Sequence, residues 1–172
     1  FQNVQPEMEF RQLDEYTKNG TDQAQFLIST NIGEEPKPLR MVASGGELSR
    51  IMLAVKTVLA DDDDIPTLIF DEIDTGISGR TAQMVSEKLS YIGRSHQVLC
   101  ITHLPQIAAM ADQHYLIEKT AGEGKTKTRI QKLEEDQQVA ELARLLGGAQ
   151  ITQTVLDNAR EMKKLAEQTK KY

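Results

Sequence analysis

Three polar clusters in this chain stand where side chains can do chemistry. The first is Ser44-Gly45-Gly46-Glu47, which opens an amphipathic run through Leu48, Ser49 and Arg50. Two adjacent glycines keep side chains clear of a helix start, so phosphate oxygens can approach bare N–H groups at the positive end of the helix dipole. The Ser44 hydroxyl adds a further donor. The same residues also read as a capping box, S-x-x-E before an apolar helical run. A capping box does not call for two glycines, each of which disfavours helix by about 1 kcal/mol relative to Ala. The second cluster is Asp71-Glu72, reached directly from the apolar run Thr67-Leu68-Ile69-Phe70. One carboxylate there could hold Mg²⁺, directly or through water, and the other could orient or deprotonate an attacking water. The plainer alternative is a pair of turn residues closing a strand. The third is His103, at the end of Val98-Leu99-Cys100-Ile101-Thr102. It could hydrogen-bond a γ-phosphate or the attacking water, or be a structural hydrogen-bonder. Asp74-Thr75-Gly76-Ile77-Ser78-Gly79 follows the carboxylates, either as ordinary turn chemistry or as a loop reaching across an interface.

These residues need elements to hold them. After Gly46, Leu48, Ile51, Met52, Val55 and Leu59 recur at helical spacing, and Asp61 to Asp64 end the helix. Thr67–Phe70 and Gln97–Thr102 read as fully buried strands, with no polar alternation. A helix from Gly79 to Ile92 between them buries Ala82, Val85, Leu89 and Ile92, with Gly93 as its C-cap. Strand–helix–strand order predicts a parallel α/β core, with both strand ends and their polar residues on one edge. Around this core, Met8–Leu13 and Ala24–Thr30 read as a hairpin or edge strands, and Asn31–Pro38 as a loop. Pro105 opens a helical turn through Met110. His114–Glu118 and Thr128–Leu133 read as a second hairpin. Gln137–Leu146 reads as a helix stopping at Gly147-Gly148. A last helix from Thr152 presents Val155, Leu156, Ala159, Met162 and Leu165.

The chain has 172 residues, a length that favours one domain, here 1–172 with an entry segment over 1–40. Folding at this size buries about 70% of the extended surface, enough for an ordinary core. A net charge of −6 argues against the whole chain being a non-specific phosphate-backbone binder. A local patch such as Lys163-Lys164 to Lys170-Lys171 stays open, as DNA contact or as a solvated helix end. One cysteine, Cys100, precludes an internal disulfide and reads as a small core residue. No apolar run reaches membrane-spanning length, and Phe1–Phe10 lacks the features of a signal peptide. Gly124-Lys125-Thr126 imitates the end of a phosphate-binding loop, but Lys119 stands where the first glycine belongs and the flanks are strand-like. His96 and His114 receive no role.

In this order the motifs resemble the C-terminal half of an ABC-type ATPase head. Ser44-Gly45-Gly46-Glu47 resembles the signature motif, Leu68–Glu72 the Walker B strand with its catalytic glutamate, Asp74–Gly79 the D-loop and His103 the switch histidine. Glu47, where many transporters carry Gln, points to the SMC-like branch. Lys37-Pro38-Leu39, Ala43–Arg50, Phe70–Gly79 and Ile101–Gln106 resemble the bacterial DNA-repair members of that branch more closely still.

The resemblance implies an α/β fold: the C-terminal lobe of a P-loop ABC-ATPase head, parallel core strands flanked by helices, with additional antiparallel strands. It implies ATP and Mg²⁺ as cofactors. Asp71 would serve the metal, Glu72 would polarise water, and His103 would sense the γ-phosphate. Ser44, Gly45, Gly46 and Glu47 would meet nucleotide held by an opposite head, and Asp74 and Ser78 would communicate across the dimer. The implied partners are an N-terminal P-loop lobe and coiled coil, a second head, and DNA in double-strand break repair and recombination. The implied location is the bacterial cytoplasm, associated with the nucleoid, without membrane. The sequence holds no P-loop, coiled coil or Q-loop, so the expectation is a lobe inactive alone. The competing expectations are a transporter-type nucleotide-binding domain and a non-enzymatic interaction module on the same fold.

Overall fold

A computed structural model describes residues 5–29, 33, 35–42, 44–59, 64–122, 125–148 and 150–171. The chain divides into two compact units, Phe1–Leu48 and Ser49–Tyr172. Where the sequence leads to one domain with an entry segment ending near residue 40, the structure divides at Leu48.

The first unit is a three-stranded antiparallel sheet in the order β1 (Gln5–Thr17), β2 (Gly20–Ser29), β3 (Lys37–Pro38). The first two strands form the expected hairpin but run longer than their apolar runs, because antiparallel pairing satisfies backbone groups whatever the side chains. Gly20, at φ +98°, accepts the Thr17 hydroxyl at 2.7 Å and closes the turn. The expected loop over Asn31–Pro38 is partly strand: Lys37 and Pro38 pair with Ile28 and Leu27. Proline is tolerated there because β3 is an edge strand. Residues 30–32 and 34 lie outside the described set. A short helix, α1 (Leu39–Val42), follows. Helix α2 (Gly45–Val58) then begins in the first unit and continues into the second.

In the second unit, β4 (Thr67–Phe70) and β5 (Gln97–Cys100) pair in parallel, with Phe70 opposite Cys100. Parallel neighbours need a crossover, and α3 (Gly79–Ile92) supplies it, burying Ala82, Val85, Leu89 and Ile92 as its periodicity predicts. Gly93 caps α3 in right-handed rather than left-handed geometry, at φ −61°. Leu53, Leu68, Phe70, Ile73 and Ile107 complete this core.

Two expectations are corrected here. The strands are buried on one face only: Leu68 and Phe70 point into the core, while Ile69, Leu99 and Ile101 are 69%, 48% and 54% exposed. The buried hydrophobic side chain of α2 is Leu53, whereas Leu48, Met52 and Leu59 of the expected stripe are exposed. Residues 61–63 of the aspartate run lie outside the described set.

The remaining helices are α4 (Pro105–Ala109), α5 (Glu135–Gly147) and α6 (Gln153–Lys170). They pack through small residues, with Ala108, Ala109, Ala143, Ala159 and Ala166 buried beside Met110 and Leu142. Ala166 takes the buried place that periodicity gives to Leu165, which is exposed. Thr152 caps α6, accepting from the Val155 N–H at 3.4 Å. Between α4 and α5 lies the hairpin of β6 (Tyr115–Gly122) and β7 (Lys125–Lys132). Lys125 and Thr126 therefore sit in a strand, and the phosphate-loop imitation has no helix behind it. Among the described residues no helix is long and apolar enough to cross a membrane.

Candidate functional site

In the second unit the parallel register decides where the chemistry falls. Phe70 and Cys100 are partners, and the Ile101 N–H donates to the Phe70 carbonyl at 3.1 Å. The residues leaving both strands, Asp71-Glu72 and Thr102-His103, thus emerge on one edge. This is the carboxyl edge, where open α/β sheets place their ligands.

The loop after β4 is held from several sides. The Ser49 hydroxyl donates to the Asp71 carbonyl at 2.8 Å, and Arg50 Nη1 donates to the carbonyls of Ile73 (3.0 Å) and Thr75 (2.8 Å). Ile73 is wholly buried and anchors the loop in the core. Glu72 is the only non-glycine residue at positive φ (+57°) among the described residues. That left-handed geometry costs roughly 1–2 kcal/mol for a residue with a Cβ, and such strain tends to gather at functional positions. The Asp71 Oδ1 accepts the Glu72 N–H at 2.9 Å, leaving the other oxygen open to a ligand. The Thr75 N–H donates to the Glu72 carbonyl at 3.0 Å and closes the turn. Gly76, at φ +75°, turns the chain towards α3. Asp71 and Glu72 are both exposed.

Asp74 is different, being only 4% exposed. Its Oδ2 accepts from the Thr102 hydroxyl (2.7 Å), the His103 N–H (2.8 Å) and His103 Nδ1 (2.9 Å). Burial pushes the Asp74 carboxyl up, but the bonds from Thr102 and the His103 amide, with the charge of the His103 ring, outweigh it. The group stays ionised below its ordinary 3.8. When the ring donates from Nδ1 to this carboxylate, its other nitrogen is left for a ligand. The His103 side chain is 73% exposed. The carboxylate of Asp74 is therefore spent within its own unit, and only the loop around it is available to a partner. Ser78 is the exposed N-cap residue of α3, without a side-chain capping bond.

Asp74→Ala is expected to destabilise the 172-residue chain by about 2–4 kcal/mol, since three donors lose a charged acceptor. Thr102→Val is expected to cost about 1 kcal/mol. A folded pKa below the unfolded one means this stabilisation is complete above 3.8 and fades as the pH falls towards the folded value. Urea unfolding of variant and wild type should therefore converge in acid. A gap that stays constant below 3.8 would contradict the assignment.

In the first unit, Ser44 and Glu47 form the capping box. The Ser44 N–H and hydroxyl donate to Glu47 Oε2 at 2.9 and 3.0 Å, and the Glu47 N–H donates to the Ser44 hydroxyl at 3.4 Å. Gly45 is exposed and Gly46 buried. Ala43 lies outside the described residues.

Comparison with known proteins identifies the lineage. No family model matches the chain. It is 49% identical to the DNA repair protein RecN of Bacillus subtilis (strain 168) over 154 residues, 90% of this chain and 27% of that protein. To the Vibrio cholerae RecN it is 51% identical over 143 residues, 83% of this chain and 26% of that protein. Over these stretches the chain is similar to RecN proteins. It spans about a quarter of the length of the curated relatives it matches. Among solved structures, the Smc head domain with a coiled coil and joint from Pyrococcus yayanosii aligns with a TM-score of 0.57 at 20% identity, over 81% of this chain and 25% of that one. The mixed α/β fold with parallel and antiparallel strands is thus that of an SMC-type head.

The sequence alone assigns no separate roles to Ser49, Arg50 and Thr102. Their work is to position backbone and carboxylate, and no spacing rule exposes a side chain that bonds to main-chain carbonyls more than twenty residues away. Cys100 packs against the core as expected, its thiol pushed up to about 12 by burial and by the nearby charges of Asp74 and Asp71. Such a thiol is unreactive near neutral pH.

Proposed function

We propose that the chain is the C-terminal lobe of a RecN-type ATPase head, working in DNA double-strand break repair and recombination in the bacterial cytoplasm. The observation that carries this reading is the common edge of Asp71-Glu72 and His103, fixed by the Phe70–Cys100 register. Glu72 orients and deprotonates the water that attacks the γ-phosphate, and His103, steered by Asp74, hydrogen-bonds that phosphate. The helix start at Ser44-Gly45-Gly46-Glu47 offers the N–H groups of its glycines to nucleotide bound by a second head, and the Ser44 hydroxyl once it leaves the Glu47 carboxylate. The loop of Asp74 to Ser78 lines that dimer contact. ATP thereby joins two heads, and its hydrolysis releases them.

The donor set suits Mg²⁺ that arrives with the nucleotide. Among the described residues no group of three His, Cys, Asp or Glu side chains could hold a metal. Mg²⁺ commonly takes only one or two protein carboxylates, with phosphates and waters completing its shell. Asp71, with one oxygen open, would supply that contact. In this reading the P-loop and the coiled coil belong to segments outside these 172 residues.

The chain alone is expected to hydrolyse ATP at background rate. Mixed with the P-loop lobe of the same protein, it should turn ATP over with a Mg²⁺ requirement. Robust turnover by the chain alone would remove the divided site.

A further inference from the structure

The hairpin β6–β7 reverses the charge of the chain. Between Tyr115 and Lys132 five basic residues stand against two acidic ones, in a chain whose net charge is −6. Among the described residues the two strands pair only with each other. Every residue over 117–120 and 126–130 is exposed, so neither face of the ribbon is covered over those stretches. The register assigns the faces. Ile117 opposes Ile130 and Lys119 opposes Thr128 on one side, with Tyr115 and Lys132 paired at the base. Glu118 opposes Arg129 and Thr120 opposes Lys127 on the other. Lys119 and Lys132 thus lie on one face, Lys127 and Arg129 on the opposite face. No ion pair among the described residues engages any of the four.

Two of the four lysines in the other basic patch are spent inside the fold. Lys163 donates to the carbonyls of Ala109 (3.4 Å) and Ala111 (3.2 Å), and Lys170 pairs with Asp112 at 2.6 Å. Both hold α6 against the end of α4 and the residues that follow it. That leaves Lys164 and Lys171 exposed towards the end of α6, against four exposed cations on the hairpin, which is the better track.

We propose that the β6–β7 ribbon is a nucleic-acid arm that grips the phosphate backbone of duplex DNA, independently of sequence. The proposal rests on the DNA-repair reading above. A two-stranded ribbon fits the major groove of a duplex, where phosphate walls stand on both sides. Cations on both faces suit that setting, whereas a flat anionic surface would meet only one. Same-face cations two residues apart, such as Lys127 and Arg129, fall about 7 Å apart along the strand. That is about two nucleotide rises along one DNA strand. An isolated hairpin is marginal in water, so docking against a polyanion also stabilises it.

The test uses the full-length protein and a 40-base-pair blunt duplex of random sequence. Lys119→Ser, Lys127→Ser, Arg129→Ser and Lys132→Ser are combined in one variant. The expected result is about tenfold or greater weakening of duplex binding at low salt, with the salt slope reduced by about 0.9 for each phosphate that the variant no longer neutralises. ATP turnover without DNA stays at the wild-type rate. A charge-keeping variant, with Lys and Arg exchanged at the four positions, should restore binding, which separates charge from folding. Removing three exposed lysines, Lys88 of α3, Lys164 of α6 and Lys171 at the C-cap of α6, in the same way should leave the slope unchanged. A quadruple variant with wild-type slope and affinity overturns the arm. So does a variant that keeps duplex binding and loses only adhesion to phosphatidylglycerol vesicles, which would make the ribbon a membrane contact. A wild-type protein with no affinity for the duplex overturns the DNA-repair reading itself, and the arm with it.

Discussion

Glu72→Gln in the full-length protein is expected to lower ATP turnover by about 10²- to 10⁴-fold, the usual contribution of a positioned general base. The substitution keeps shape and hydrogen bonding but cannot take a proton. Nucleotide should still bind, because Glu72 contributes nothing to the phosphate cradle in this scheme. Head dimers should accumulate, because the step that releases them is blocked. Steady-state turnover and size-exclusion chromatography with ATP check both halves, and wild-type turnover would remove Glu72 from its role. The left-handed backbone at φ +57° gives a second readout. Asn tolerates that geometry better than Glu does. Glu72→Asn is therefore expected to hold or raise the urea midpoint of the 172-residue chain while turnover falls. A residue kept for folding alone would lose stability instead.

What the sequence made legible was mostly local. The bounds and buried face of α3 follow from its periodicity, and the ends of β4 follow from Pro66 and the carboxylates. The shared edge of Asp71-Glu72 and His103 needed only the inference that strand–helix–strand means parallel. Three things were not legible, each for a physical reason. A run such as Thr67–Phe70 shows that both faces of a strand are apolar, but not whether the same chain covers both. The choice of Leu53 over Met52 on α2, and of Ala166 over Leu165 on α6, depends on which neighbour lies close; small residues win where helices approach tightly. Asp74 read as part of a turn or of a loop reaching across an interface, because its bonds to Thr102 and the His103 amide are brought to it only by the fold. The length of the β6–β7 hairpin was missed because its outer half is polar, and backbone pairing rather than burial carries it.

The bare side of the β4–β5 sheet leads to the last prediction. Ile69 and Leu99 are register partners, and Ile101 follows on the same face. Parallel sheets are ordinarily covered on both faces, and their strands are apolar throughout for that reason. In the proposed head, the P-loop lobe covers this side and takes three aliphatic side chains out of water. Burying one such side chain is worth about 1.5–3 kcal/mol, and an unpaired carboxylate in the same place costs more. Leu99→Asp is therefore expected to weaken association with the P-loop lobe by about a hundredfold or more, and to abolish ATP turnover in the mixture at concentrations where wild type assembles. Ile69→Thr should act in the same direction and more mildly. The same substitutions should barely disturb the 172-residue chain alone, within about 1 kcal/mol, because both side chains already stand in solvent. The two measurements together separate an interface from a core. Large destabilisation of the lone chain would mean that the face is internally packed. Unchanged assembly with Leu99→Asp would mean that the second lobe seats elsewhere.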